Sequence, residues 1–450
     1  MSEEDTDLPE NEQSDEDEGA SAGPATLGPV QEEGSAGHNL EMLLDLPLEL
    51  SVELGRTRMS LQEMLKLDKG SVIRLGRTEG EPLDIQVNGR TVARGEVVVV
   101  NDRLGVRVTE IGEARERVAA LAGCEPRQVT FTSGATEANN SVLKGRALRA
   151  GSRGAILVGA GEHPSVREVA RYLGERGYRT AEIPVDGDGR VTPVALKEAL
   201  ERHAPVALVS VMTANNETGA LQPIPELTTV CDEYGVPLHT DAVQAAGRRP
   251  LDMAASGVAA LSLSAHKLYG PQGVGALVRD PERLAVEPLL HGGGHERERR
   301  AGTENVPGIV GFGVAAERAR AQCVAEAGRL EALQQRLEAA LGESGLHADI
   351  VAAGTERLPN TTCLLIPGVE AETLLMNLDL EGIAVSSGSA CASGSLAPSP
   401  VLLAMGIPAE RARSALRVSL GRPTTEAEVD HFVERLTTVA GRLQERGVSA

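Results

Sequence analysis

The stretch "SLSAHKLYGPQGVGALV", residues 262–278, decides how this chain is read. It opens as an apolar strand, breaks at a Tyr-Gly-Pro turn and resumes as a second apolar strand. Lys267 stands at the break. A lysine at the end of a buried strand is unusual, because its charge is costly to desolvate. Desolvation lowers the pKa of such an amine and makes it a nucleophile. A single strand-end lysine is more often a stem that snorkels to solvent. Its company argues otherwise. "VPLHTDAVQ" (236–244) sets Asp241 at the end of another apolar strand, 26 residues before Lys267. A buried carboxylate needs a partner. "FTSGATEANN" (131–140) is a Ser/Gly/Thr turn entering a helix, whose free N–H groups and Thr136 hydroxyl suit a phosphate.

Outward from these words the pattern is regular. "GAILVG" is followed by "SVREVARYLGERG", "YRTAEIPV" by "PVALKEALERH", "VALVSVM" by "IPELTTVCDEYG", and "GVPLHTDA" by "LSLSAHK". Unbroken apolar strands alternating with amphipathic helices predict a mainly parallel sheet covered on both faces. "GEARERVAALAG" predicts a helix that ends at Gly123. After about residue 280 the pattern becomes α+β and predicts a second, smaller lobe. The boundaries expected are 113–280 for the large lobe and 281–450 for the small one.

The front of the chain differs. Residues 1–40 hold twelve Asp and Glu and no Lys or Arg, more than half of the net charge of −21. With little apolar surface to bury, they read as a disordered acidic tail. Residues 41–112 read as a small β module. "LELSVELG" alternates as a half-buried strand does, and "SLQEMLKL" is a short helix with a Ser cap. "GSVIRLG", "PLDIQVNGRTVARGEVVVV" and "RLGVRVTEI" read as further strands, with turns at Asn88-Gly89 and Asn101-Asp102.

Composition narrows the function classes. Aromatics make up 2% of the 450 residues, and there is no Trp, so Leu, Val, Ile and Ala must build the cores. The acidic balance argues against nucleic-acid binding. No apolar run reaches the length of a membrane span, and the N-terminus lacks a signal-peptide pattern, so a cytoplasmic protein is expected. Five scattered cysteines, none in a CxxC pair, argue against a disulfide framework or a four-cysteine metal site.

Two resemblances sharpen this reading. The first lies in "LPLELSVELGRTRMSLQEMLKLDKGSV", "GEPLDIQVNGRTVARGEVVVV" and "RLGVRVTEI". It is a resemblance to the SpoA-type C-terminal domain of the flagellar motor switch protein FliN. It implies an all-β domain that dimerises in the rotor's switch ring and meets switch and export components. The second covers residues 113 to about 442. "FTSGATEANN", "GEHPSV", "TANNETGALQPI", "HTDAVQAAG", "SAHKLYGPQGVGAL", "HGGGHERERRAGTENVPGIVG", "PNTT", "AVSSGSACASGS" and "ALRVSLGRPTTEAEVD" together resemble a cysteine desulfurase of the NifS/IscS type, in the class-V aminotransferase family. The family's opening motifs, ahead of the point matched by "EARERVAAL", are absent, and the β module stands in their place.

This second resemblance implies the type I pyridoxal phosphate (PLP)-dependent transferase fold, and it implies roles. Lys267 would hold the cofactor and move protons. Asp241 would pair with its ring nitrogen, Gln244 with its ring hydroxyl, and His163 would stack on the ring and assist proton transfer. Ala135, Thr136, Ser264 and His266 would hold the phosphate, with Thr303 arriving from a partner subunit. Asn216 would lie beside cofactor and substrate, and Arg417 would fork onto the substrate carboxylate. Cys391, in a loop of small residues, would take sulfur from L-cysteine as a persulfide and deliver it to an acceptor or an iron–sulfur scaffold, with a transient cluster contact as its one metal role. The product would be L-alanine. A homodimer is implied, as is a place in the cytoplasm or at the flagellar base. The alternative is a motor-switch or export protein carrying an inactive desulfurase remnant.

Cys124, Cys231, Cys323 and Cys363 fall in segments read as helix or strand and are taken as packing residues. His291 and His295 sit in a glycine-rich turn. His203, His239, His347 and His431 carry no signal.

Overall fold

The computed structural model describes residues 50–447, apart from 54–56, 58, 69–70, 72, 74–82, 88–89, 101–102, 109 and 388–396. The acidic tail, both β-module turns, most of "GSVIRLG" and Cys391 lie outside the described residues.

Four strands come first: β1 (Leu50–Glu53), β2 (Leu83–Val87), β3 (Arg90–Val100) and β4 (Arg103–Val108). They pair antiparallel in chain order, with a bulge between Ile85 and Gln86. A single helical turn, α1 (Leu61–Met64), lies between β1 and β2.

Helix α2 (Glu110–Ala122) buries Ala114, Val118, Ala119, Leu121 and Ala122, the stripe that helical periodicity predicts. It ends where Gly123 takes a left-handed φ of +66°. Arg115 on this helix forks onto Glu296 through two contacts of 2.8 and 2.6 Å and also donates to the Val129 carbonyl. Glu296 in turn accepts from the Phe131 N–H. A bidentate, largely buried pair of this kind holds direction as well as charge. It ties the helix to the strand that leads into the turn 133–134.

The large sheet has seven strands: β5 (Val129–Thr132), β6 (Ala155–Gly159), β7 (Thr180–Ile183), β8 (Val206–Ser210), β9 (Leu238–Asp241), β10 (Ala260–Ser264) and β11 (Gly275–Arg279). Their order is β5-β11-β10-β9-β8-β6-β7, and β11 alone in this sheet runs antiparallel to its neighbours. β6, β9 and β10 are buried from end to end; β6 is the unbroken apolar run expected, whereas β9 and β10 bury His239, Thr240, Asp241, Ser262 and Ser264 within the sheet. Helices α3 (Ala135–Ala150), α4 (Pro164–Glu175), α5 (Pro193–Arg202) and α6 (Ile224–Glu233) connect the strands. Prolines open α4 and α5, where a missing N–H costs nothing. The Thr192 side chain caps α5 by accepting from the Ala195 N–H at 3.1 Å. Two apolar clusters sandwich the sheet, one around Leu157, Leu238 and Leu263, the other around Ile156, Leu208 and Leu143.

Helix α7 (Val306–Glu343), 38 residues long, runs from the large lobe into a small one. There β12 (Asp349–Ile350), β13 (Thr361–Leu365), β14 (Ser386–Ser387) and β15 (Ala415–Ser419) form an antiparallel sheet in the order β12-β13-β15-β14. Helices α8 (Ala371–Leu380) and α10 (Glu426–Gly447) cover it through Leu374, Leu378, Phe432 and Leu436, and the short α9 (Pro400–Ala404) packs beside it through Val401 and Leu402. The α+β expectation for this region holds. Among the described residues no helix is long and apolar enough to cross a membrane.

One expectation fails. Cys124 lies in the turn after α2, not in a helix or strand, because Gly123 has already ended the helix. Cys231, Cys323 and Cys363 do lie in α6, α7 and β13 and are buried.

A backbone crossing marks where the sheet meets the turn 133–134. A Cβ on Gly275 would lie 2.5 Å from the Leu263 carbonyl oxygen and 2.7 Å from Gly134. No side chain can move to relieve it. Gly275→Ala is expected to cost about 2 kcal/mol, the usual scale of overpacking. Chemical denaturation of the full-length chain reads this directly; an unchanged unfolding midpoint contradicts it.

Candidate active site

The carboxyl ends of the parallel strands converge on one cleft of about 550 Å³. β5 delivers Ser133 and Gly134, β6 leads to His163, and β8 leads to Asn216. β9 ends on Asp241 with Gln244 following, and β10 ends on Ser264 with His266 and Lys267 in the next turn. Ligands bind at this end of open α/β sheets because the loops diverge there. β15 of the small lobe contributes Arg417 from the other side.

Ten of the twelve residues singled out in the sequence line this cleft: Ala135, Thr136, His163, Asn216, Asp241, Gln244, Ser264, His266, Lys267 and Arg417. Thr303 does not. It lines an adjoining cavity of about 160 Å³ with Phe131, Glu296 and Arg300, which shares Ser133 and Gly273 with the cleft. Cys391 is outside the described residues.

Asp241 is the best-held group. It is 6% exposed. Asn139 donates to Oδ2 at 2.8 Å, and the Val243 N–H donates to Oδ1 at 3.0 Å. Burial still pushes its pKa up, against those donors and the nearby His163 and Lys267. His163 caps α4, and its Nδ1 accepts from the Ser165 N–H at 3.1 Å. Burial holds its pKa down, Asp241 works against that, and Lys267 adds to it. Ser264 Oγ and His266 Nδ1 are 2.8 Å apart. Burial, and then Lys267, lower the His266 pKa. Arg417 donates from Nη1 to the Asn216 carbonyl at 3.0 Å.

Sequence reasoning missed several polar residues here. Glu162 is buried, accepts from the Met212 N–H, and has its pKa driven well above the ordinary value by burial and by Asp241. Glu217 is also buried and accepts from the Ser399 hydroxyl at 2.5 Å. Burial raises its pKa to about 7, against Ser399 and Arg417. Asn139 and Ser165 complete the set. All four sit inside quoted words, "TEANN", "GEHPSV" and "NNETG", but only the fold brings them together.

The wall of this cleft suits a particular kind of ligand. Among the described residues, Asn216 Oδ1 and Arg417 Nε are buried polar atoms without a hydrogen-bond partner. Asp241 is a buried carboxylate whose raised pKa calls for a cation beside it. The first N–H groups of α3 have no acceptor within their own helix, and they line the same cleft as Ser264 and His266. A planar aromatic cation with a phosphate at one end and a carboxylate at the other would satisfy all of these.

Comparison with known proteins supplies the family. Residues 95–432 match the model of aminotransferase class-V. The chain belongs to that family. Residues 41–113 match the model of the type III flagellar switch regulator (C-ring) FliN C-terminus, so the two matches overlap over residues 95–113. The cysteine desulfurase IscS of Anaeromyxobacter sp. (strain Fw109-5) is 44% identical over 355 residues, 78% of this chain and 87% of that protein. The IscS-like cysteine desulfurase of Mycobacterium tuberculosis is 40% identical over 383 residues, 83% of this chain and 93% of that one. The solved NifS-like protein of Rickettsia africae superposes with a TM-score of 0.67 at 33% identity, over 74% of this chain and 88% of that one. The large and small lobes thus have the α/β PLP-dependent cysteine desulfurase fold. The family's cofactor is pyridoxal phosphate, and the cleft fits it.

His239 offers a pH test of the core beneath the site. It carried no sequence signal, yet it is fully buried, with Ser210 Oγ 2.9 Å from Nδ1 and Ser262 Oγ 3.0 Å from Nε2. Burial lowers its pKa to about 3. The unfolded chain, with an ordinary His, therefore binds more protons below about pH 6.5, and stability falls as pH drops toward the folded pKa. Between pH 7 and pH 5 this group is expected to remove about 2 kcal/mol. Denaturation of His239→Gln should show a smaller loss over the same range; an equal loss contradicts the assignment.

Proposed function

We propose that this chain is a pyridoxal phosphate-dependent cysteine desulfurase carrying a flagellar-switch module. The reading rests on one observation: a lysine, a buried aspartate, a helix-capping histidine, the start of a helix and an arginine meet around one cleft. Relatives named as cysteine desulfurases at 40–44% identity support it.

Bound here, pyridoxal phosphate supplies an electron sink for bonds broken next to an amino group. The chain's own residues do the rest. Lys267 Nζ would carry the cofactor and take protons. Asp241 would pair with its ring nitrogen, and Gln244 would hydrogen-bond its ring hydroxyl. Ala135, Thr136, Ser264 and His266 would hold its phosphate, joined by Thr303 of a second copy. Arg417, steadied by the Asn216 carbonyl, receives the carboxylate of L-cysteine, and Asn216 lies beside it. His163 exchanges protons with the substrate carbon.

Cys391 is the nucleophile in this reading. Its thiolate attacks the substrate sulfur, the carbon–sulfur bond breaks, and protonation of the carbon releases L-alanine. The persulfide left on Cys391 is handed to a sulfur acceptor such as an iron–sulfur scaffold. The described cysteines are poor candidates. Burial raises the thiols of Cys124, Cys231 and Cys363 to about 12, and it raises Cys323 as well.

Residues 41–112 form the second part, an all-β SpoA-like domain with flagellar switch or export components as partners. The antiparallel strands β1 to β4 support that fold. The module takes the place of the family's opening segment, and residues 113–450 are the desulfurase part. Both families implied by the sequence dimerise, so a homodimer working in the cytoplasm or at the flagellar base is the natural state.

The purified full-length chain is expected to hold pyridoxal phosphate with a visible absorbance that Lys267→Ala abolishes. It should convert L-cysteine to L-alanine. Cys391→Ser should keep the absorbance and lose sulfur transfer by at least about a hundredfold. No absorbance, or absorbance without alanine, would contradict the enzyme reading.

A further inference from the structure

A polar chain runs along one wall of the cleft, and the chemistry above does not use it. Asn139 is fully buried in α3. Its Nδ2 is 2.8 Å from Asp241 Oδ2 and 2.9 Å from Ser165 Oγ. Ser165 Oγ is 2.8 Å from His163 Nδ1, and the Ser165 backbone N–H donates to the same nitrogen at 3.1 Å.

The hydrogens on this chain have one consistent arrangement. A side-chain amide nitrogen carries two of them. Turning Asn139 over would set Oδ1 against a carboxylate oxygen, acceptor against acceptor. Its Nδ2 therefore faces Asp241 and gives one hydrogen there and the other to Ser165 Oγ. The Ser165 oxygen now accepts, so its own hydrogen is left for His163 Nδ1. The backbone N–H beside it cannot reverse its polarity. Nδ1 is thus an acceptor twice over, and the ring's proton must sit on Nε2.

We propose that Ser165 and Asn139 are positioning residues that lock His163 in its Nε2–H form and tie that form to Asp241. The tautomer is fixed by geometry alone. Its consequence rests on the desulfurase reading: His163 enters the reaction as a proton donor, and Lys267 is left to accept. The charged and titratable groups around the ring agree with a neutral imidazole. Asp241 on β9 and Lys267 after β10 act on it in opposite senses, and burial, the largest effect, disfavours the charged ring.

The test uses the full-length chain labelled with 15N-histidine, with and without added pyridoxal phosphate, and His163→Gln to assign the signal. Wild-type His163 should show a non-protonated Nδ1 and a protonated Nε2 from about pH 6 to 9. Ser165→Ala removes the shorter donor to Nδ1, so the ring should titrate at higher pH. In the same variant kcat should fall about tenfold, with KM for L-cysteine within about twofold, a modest part of what acid–base catalysis supplies. Ser165→Thr, which keeps the hydroxyl, should restore both, and Asn139→Ala should reproduce the ring's shift. A proton on Nδ1 in the wild type overturns the proposal. So do ring signals that stay put in both Ser165→Ala and Asn139→Ala. If the ring behaves as expected but no alanine forms, the lock stands and the desulfurase reading falls.

Discussion

The site depends on a carboxylate that is almost wholly withdrawn from water. Asp241 ends the middle strand of the large sheet, with β8 and β10 on either side and α3 above it. Removing a carboxylate from solvent costs several kcal/mol unless donors and a cation replace the lost hydration. Asn139 and the Val243 N–H supply donors. His163 and Lys267 favour its charged form as well, yet burial outweighs them and pushes its pKa up. The fold thus holds a carboxylate whose charge a further positive group lying against it would stabilise. That is what a binding site for a cationic ring requires.

The elements around Asp241 follow from the same demand. β10 on one side is buried throughout and β8 on the other is buried but for Val206, which limits water and strengthens the interactions around Asp241. β11 packs against Gly134 with no room for a methyl group at Gly275, which sets the helix entrance at a fixed distance from Ser264. The Arg115–Glu296 fork braces the strand that leads into that entrance, and Arg115 sits on the first helix after the β module. The small lobe then brings Arg417 over the cleft from an antiparallel sheet with its own core. Catalytic groups are held by rigid strands and helix starts, while the four described cysteines are shielded from the cleft or from ionisation by burial.

Much of this was legible in the sequence because it is carried by local signals. Apolar runs of strand length, prolines at helix starts and the turn after residue 132 each announce themselves within ten residues. The Lys267 and Asp241 words gave the site because strand-end charges are rare. Polar residues inside helices were not legible. Asn139 looks like any helical amide until the fold carries Asp241, 102 residues away, to within hydrogen-bond distance. Ser165 looks like a helix-start residue, and Glu162 like a surface acid, until β6 buries them. His239 was read as silent for the same reason: its two serine partners come from neighbouring strands. Cys124 was misplaced although the stop at Gly123 was legible: a residue just past that stop belongs to the turn, even where it packs against the core as Cys124 does. Thr303 was expected at the phosphate from a second subunit, and a single chain puts it elsewhere.

The central claim is that Asp241 is completed by a positive charge on the cofactor's ring. Nuclear magnetic resonance of the full-length chain loaded with pyridoxal phosphate labelled with 15N in the ring reads that charge directly. A protonated ring nitrogen in the wild type, lost in Asp241→Asn, is the result this account predicts. An unprotonated ring nitrogen in the wild type would contradict it.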